Sequence, residues 1–150
     1  MSEKTPALIL DLDGTLRDTS SIAHLLDERP KDYAKFTVAS HTCPPLQRVI
    51  SAIRFGYRGW HLLMFTGQKE MYRAQNIDWL EKHFGPVNWM AMRQNDDNRP
   101  APLVKAEMVV RAQAYGYNPL EAWDDDPDVV RMYNEHDLDV HWVWNSSRVS

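Results

Sequence analysis

Asp11 and Asp13 stand one residue apart at the end of an apolar run, "ALILDLDGTLRDTS" over residues 7–20, and Gly14-Thr15 follow at once. Asp is among the residues most depleted from buried strands, so the pair belongs where a strand emerges. Side chains alternate across a strand, so Asp11 and Asp13 point the same way and can converge on one point, while Leu10 and Leu12 face another layer. Two carboxylates that close repel unless one holds a proton or a cation lies between them. The chemistry in view is therefore acid/base work or metal binding. Gly14 lets the backbone turn sharply, and Thr15 adds a hydroxyl and an amide to the same mouth. Asp-Gly is also a common turn dipeptide, so by itself the motif leaves an ordinary loop opening as an alternative.

Three further stretches carry chemistry-capable groups. In "WDDDPDVV", Asp126 precedes Pro127 at a helix start, where Asp is a favoured N-cap and Pro a favoured first residue. Capping leaves Asp124 and Asp125 unexplained, and oxygen ligands from separate strands suit a hard divalent ion such as Mg2+. In "LLMFTGQ", Thr66 and the amides that follow, Gly67 first, can hold a phosphoryl oxygen, although a structural Ser/Thr turn explains the same residues. Lys105, in "RPAPLVKAEM", lies near a helix start, against the helix dipole. A nearby anion would make sense of it, and a solvated lysine is the alternative.

Apolar runs at 7–13, 60–65, 87–92, 120–125 and 138–144 have strand length. Between them, helical stretches fall at 44–56, 69–84, 101–115 and 127–136. Leu46, Val49, Ile50 and Ile53 mark the buried face of the first, and Met71, Ala74, Ile77 and Leu80 that of the second. Alternating strands and helices predict an α/β fold with a mostly parallel five-stranded sheet and helices on both faces. Residues 17–43 are polar and weakly periodic, and read as a small insertion over the mouth of the first strand. The final "SSRVS" is expected to fray. In such a sheet the ligand crevice lies outside the carboxyl ends of the strands, where Asp11, Asp13, Thr66, Gly67, Arg93 and the Asp124–Asp126 run gather on one rim.

Composition narrows the classes. The 150 residues suit one domain with its own core, and 43% hydrophobic with 25% charged residues exclude disordered and collagen-like classes. One cysteine, Cys43, forms no internal disulfide, and neither an apolar run of about 20 residues nor a secretion signal is present, so a cytoplasmic, soluble protein is expected. The net charge of −4 argues against a protein that coats nucleic acid. Residues 44–115 hold 10 Lys or Arg against 6 acids, whereas residues 116–150 hold 2 against 8, so an anionic substrate could meet a cation-binding acidic edge. The six histidines show no ligand spacing, and no zinc site is assigned. Of the six tryptophans, Trp60, Trp79, Trp89 and Trp123 fall in strands or on helix faces and read as core.

In order and spacing, "DLDGT", "FTG", a single Lys and "DD" after the fourth strand resemble the haloacid dehalogenase (HAD) superfamily of phosphotransferases. "MRQNDDNRPAPLVKAEM" with "AWDDDPDVVRMYNEHDLDVHWV" looks like the phosphatase domain of phage polynucleotide kinases, and the resemblance runs from Ala7 to about Asn145. It implies a HAD-like Rossmannoid fold and a Mg2+-dependent phosphomonoesterase acting on nucleic-acid 3′ ends. Asp11 would be the nucleophile and Asp13 the acid/base, with Thr66 and Lys105 completing the catalytic set. Asp11, the Asp13 carbonyl and Asp125 would hold the metal, with Asp124 reaching it through water, and Gly14, Thr15 and Gly67 would line the substrate site. The family usually writes Ser-Gly-Arg where this chain has "TGQ", so Gln68 supplies no cation there, and Arg93 or Arg99 is expected to compensate. No G-x-x-x-x-G-K-[ST] loop can be built from the six glycines, so no kinase activity is expected.

Three other protein classes share parts of this pattern. A phosphorylatable receiver domain fails on order, because its acceptor should follow strand three and its Lys strand five. A nucleotide 5′-monophosphatase or other small-molecule phosphatase on the same scaffold stays open, since fold and substrate separate easily. Arg48, Arg54, Arg58, Arg93 and Arg99 would favour a nucleic-acid end if they line one groove. A binding protein that merely retains the scaffold is opposed by the complete set of acids.

Overall fold

The computed structural model describes residues 4–144. Its sheet has five strands, all parallel: β1 (Pro6–Leu10), β2 (His61–Lys69), β3 (Trp89–Arg93), β4 (Asn118–Asp124) and β5 (Asp139–Trp142). Their order is β3-β2-β1-β4-β5. The chain thus leaves β1 in one direction for β2 and β3 and crosses to its other side for β4 and β5. That reversal opens a crevice between the carboxyl ends of β1 and β4.

Helices cover both faces, and strand alternation sorts the core between them. Ala7 and Ile9 point into a cluster with Leu63, Phe65 and Ala91, roofed by Val104, Met108 and Val109 of α4 (Ala101–Ala114) and Val129 and Tyr133 of α5 (Pro127–Glu135). Leu8 and Leu10 point the other way, onto Val49, Ile50 and Ile53 of α2 (Gln47–Gly56) and Trp79 and Leu80 of α3 (Arg73–His83). A central strand buried on both faces has to be apolar at every position, which is why "ALIL" shows no alternation of its own. Between β1 and α2 lie a 3-10 segment, Ser20–Leu26, and α1 (Tyr33–Ser40). Their stem is closed by a bridge between Arg17 and Pro45 and by the Asp18 amide donating to the Pro44 carbonyl at 2.7 Å.

Four expectations need correction, and the last residues, "SSRVS", lie outside the described ones. β1 stops at Leu10, so strand alternation does not carry through to Asp13. β2 does not stop at residue 65: it continues to Lys69 beside β3, with a register shift between Thr66 and Lys69, so Thr66 and Gly67 lie inside its irregular end. The stretch 69–84 divides into a 3-10 turn, Glu70–Tyr72, and α3. The expected apolar stripe is only partly the buried face: Met71, in the 3-10 turn, is 61% exposed and Ile77, in α3, 39%, whereas the buried residues of α3 are Asn76, Trp79 and Leu80. The reason is polar, because Asn76 is drawn inward to partner Arg17 and Gln68.

Candidate active site

At the end of β1 the chain enters a tight turn in which the Leu12 carbonyl accepts from the amides of Thr15, Leu16 and Arg17. Gly14 adopts φ +82°, open to glycine at little cost. The register that sets Leu10 beside Trp123 lets the Asp11 amide donate to the Trp123 carbonyl at 3.1 Å, which brings Asp11 alongside Asp124. Lys105, reaching in from α4, is buried and bonds both carboxylates, Nζ to Asp11 Oδ1 at 2.8 Å and to Asp124 Oδ2 at 2.7 Å. This is the anion that its place near a helix start called for. Thr15 Oγ1 donates to the other Asp11 oxygen at 3.0 Å, and the Asp126 amide to the other Asp124 oxygen at 2.9 Å.

Burial opposes the charge on Lys105, but the fields of Asp11 and Asp124 prevail and hold its pKa well above the ordinary lysine value. Burial, then the charge of Asp11, pushes Asp124 up to about 7 against the pull of Lys105. Oxygens of Asp11, Asp124 and Asp125, all buried, lie within 4.8 Å of one another. A Cβ on Gly14 would sit 2.0 Å from Asp125 Oδ2, so the turn forms a cradle that only glycine leaves open. Three converging carboxylates with a main-chain bend beside them form an all-oxygen donor set that fits a hard divalent cation.

The Asp13 carboxylate does not join this cluster, contrary to the convergence expected from strand alternation. The turn beyond Leu10 sends it to a second network. Arg17, with no solvent exposure, donates from Nε to Asp13 Oδ1 at 2.8 Å and from Nη2 to Asn76 Oδ1 at 3.1 Å, with its guanidinium 5.2 Å from the Trp79 ring centre. Gln68 Nε2 donates to Asp13 Oδ2 at 2.7 Å and to Ser40 Oγ at 2.9 Å. Gln68 Oε1 in turn accepts from Asn76 Nδ2 at 2.7 Å and from His41 Nε2 at 3.2 Å. Gln68 therefore grips Asp13 as a neutral donor while Arg17 brings the cation. Sequence reasoning missed Arg17, Asn76, Ser40 and His41. The spacing of Arg17 from Asp13 carries no signal in a stretch with no predicted helix.

The remaining candidates divide. Thr66 is buried, and its Oγ1 accepts the Gln68 amide at 3.1 Å, the Ser/Thr turn of the structural reading. Arg93 reaches the same strand end but bonds main chain, donating to the carbonyls of Gly67 at 2.7 Å and Arg99 at 2.6 Å. Arg99 turns outward to Asp97 and Glu107 at 2.8 and 2.6 Å. The five arginines do not share one groove. Arg48 opens α2 at the rim, whereas Arg54 caps the Phe84 carbonyl and Arg58 lies by Phe55, both near the opposite edge where β2 begins.

The sequence from residue 5 to residue 147 matches the model of the family described as the polynucleotide kinase PNKP phosphatase domain. The chain belongs to that family. It is accordingly a phosphatase of the HAD superfamily, as the order of its motifs anticipated. Among solved structures, this phosphatase is similar to a chain of the Pnkp1/Rnl/Hen1 complex, with 23% identity and a TM-score of 0.75 over 95% of its own length and 47% of that chain. It spans about half the length of that relative. A class C acid phosphatase from Bacillus anthracis with tungstate bound shares the fold at 15% identity and a TM-score of 0.68, covering 97% of this chain and 69% of that one. A HAD-like hydrolase from Streptococcus pneumoniae does so at 12% identity and a TM-score of 0.60, covering 91% and 83%. No curated protein matches the chain.

Proposed function

We propose that this phosphatase is a Mg2+-dependent phosphomonoesterase that removes 3′-phosphates from nucleic-acid ends through a phosphoryl group carried on Asp11. The observation behind the reading is the separate placement of two carboxylates: Asp11 is wedged against Lys105, Asp124 and Asp125, while Asp13 is held apart by Arg17 and Gln68. Asp11 attacks phosphorus as the bond to the leaving oxygen breaks, and Asp13 delivers the proton that oxygen takes up. Asp13 then accepts a proton from the water that attacks the phosphoryl-Asp11, which frees phosphate, returns Asp11 to its carboxylate and leaves Asp13 protonated for the next cycle. Lys105 is bonded to Asp11 and offers positive charge to the transferring oxygens. Arg17 and Gln68 fix both Asp13 oxygens, and the buried Thr66 hydroxyl lines the path of the phosphoryl group.

Mg2+ would be held by Asp11, Asp125 and the Asp13 carbonyl. Asp124, whose two oxygens already accept hydrogen bonds, would stand one water away. When bound, the ion screens the nucleophile from the negative substrate. Thr15, Gly14, Gly67 and Arg93 complete the proposed substrate mouth, and a cytoplasmic location is part of the same reading. The nucleic-acid substrate is supported by the family and by a similar structure described as an RNA repair complex.

The test compares phosphate release from a 3′-phosphorylated oligonucleotide, nucleoside 3′- and 5′-monophosphates and an aryl phosphate, with and without chelator. The expected order puts the oligonucleotide first, with chelator or Asp11→Asn abolishing all release. Preference for a 5′-mononucleotide would replace the reading with a nucleotidase.

A further inference from the structure

Four tryptophans are spent on the core. Trp79 is buried, and Trp60, Trp89 and Trp123 pack half-buried against the two apolar clusters. Trp142 and Trp144 are not: they are 51% and 57% exposed, at the end of the edge strand β5. Val143 between them is buried, and its amide donates to the Asp124 carbonyl at 2.9 Å, so the backbone that carries both rings is pinned to the metal-binding turn. Trp142 Nε1 donates to the Asp125 carbonyl at 3.1 Å. The two rings lie 5.8 Å apart with their planes 85° to each other. Arg48, exposed at the start of α2, donates to the Trp144 carbonyl at 3.1 Å and puts a guanidinium at the same edge.

From this arrangement, and resting on the 3′-phosphatase reading above, we infer that Trp142 and Trp144 form a stacking platform for unpaired bases next to the 3′-terminal phosphate. The platform is bonded to the main chain of Asp124 and Asp125, two members of the carboxylate cluster, and that adjacency favours the substrate's own bases over a separate protein partner. Every base has a π-face, so two rigid indoles recognise a strand without reading its sequence, and Arg48 is placed for the backbone phosphate that follows. A base-paired end keeps its bases stacked on one another and gains little from the rings. The platform therefore makes single-stranded 3′ ends the preferred substrate class.

The experiment measures kcat/KM for a 3′-phosphorylated single-stranded oligonucleotide, a blunt duplex with the same 3′-phosphate and an aryl phosphate, in the wild type, Trp144→Ala, Trp144→Phe and Trp142→Phe. Trp144→Ala is expected to lower the ratio of single-strand to aryl-phosphate efficiency about tenfold, the worth of one stacked base, with Trp144→Phe keeping most of it. The single-strand to duplex ratio should fall in parallel. Tryptophan fluorescence of Asp11→Asn should be quenched by the single-stranded oligonucleotide, and less so when Trp144→Ala is added. An unchanged ratio in a wild-type background that hydrolyses the oligonucleotide would overturn the platform and leave the 3′-phosphatase intact. A uniform loss on all three substrates, with Trp142→Phe behaving alike, would overturn it in favour of a brace for Asp125. A wild type active on the aryl phosphate but inert on the oligonucleotide would remove the 3′-phosphatase reading and the platform with it.

Discussion

Lys105 shows how one residue can be both structural and chemical. It is 3% exposed and bonded to Asp11 and Asp124, so removing its charge strands two carboxylates in a dry site. Lys105→Met is expected to abolish phosphatase activity and, in chelator, to lower stability by about 3–5 kcal/mol, the cost of breaking a buried pair. Urea denaturation checks this, and adding Asp124→Asn should recover part of the loss. His41 offers a pH test beside the second network. Burial, with Arg17 nearby, pulls its pKa below the usual 6.5, against the bond to Gln68. Between the lowered folded value and 6.5 the unfolded chain binds more protons than the folded one. Stability is thus fully present above 6.5 and declines as pH falls through the folded pKa. An NMR titration should find the His41 midpoint below 6.5, and His41→Gln should remove its share of the acid-side decline.

At the scale of elements, α3 makes the clearest case for polar contacts overriding apolar pattern. Met71 and Ile77 continue a helical stripe that the fold leaves largely exposed, while Asn76 takes a fully buried place between Arg17 and Gln68. Hydrophobic patterning alone recommends Asn76→Leu as a stabilising change. The expected result is the opposite, a loss of about 1–3 kcal/mol from unpartnered groups in a buried site, read by chemical denaturation. Activity should fall as well, because Arg17 and Gln68 are the groups that hold Asp13.

Across the whole molecule, the strand order separates the charge imbalance seen along the chain. β2 and β3, from the basic middle, lie on one side of β1, and β4 and β5, from the acidic end, on the other, with Asp11 at the seam. No described helix is long and apolar enough to cross a membrane. The cation site proposed at that seam would link metal binding to folding. Mg2+ at about 100 times its Kd should stabilise the protein by about 2.7 kcal/mol, seen as a rise in Tm that chelator reverses. Asp125→Asn should reduce that rise, whereas Arg99→Ala, altering an exposed ion pair, should leave it in place.

Local pattern determined a good deal of this protein. The strand-helix alternation sets the parallel α/β plan, Asp126-Pro127 marks the start of α5, and acids stand at the carboxyl ends of β1 and β4. Those signals are short-range, carried by periodicity, capping and turn chemistry within a few residues. Tertiary structure alone decided which charges meet. Asp11 and Lys105 are 94 positions apart, Arg17 and Asn76 are 59, and Gln68 and Asp13 are 55. A buried cation is stable only where the folded chain delivers its anion, so the placing of Lys105, the turning of Asp13 away from Asp11 and the inward rotation of Asn76 follow from packing rather than from spacing.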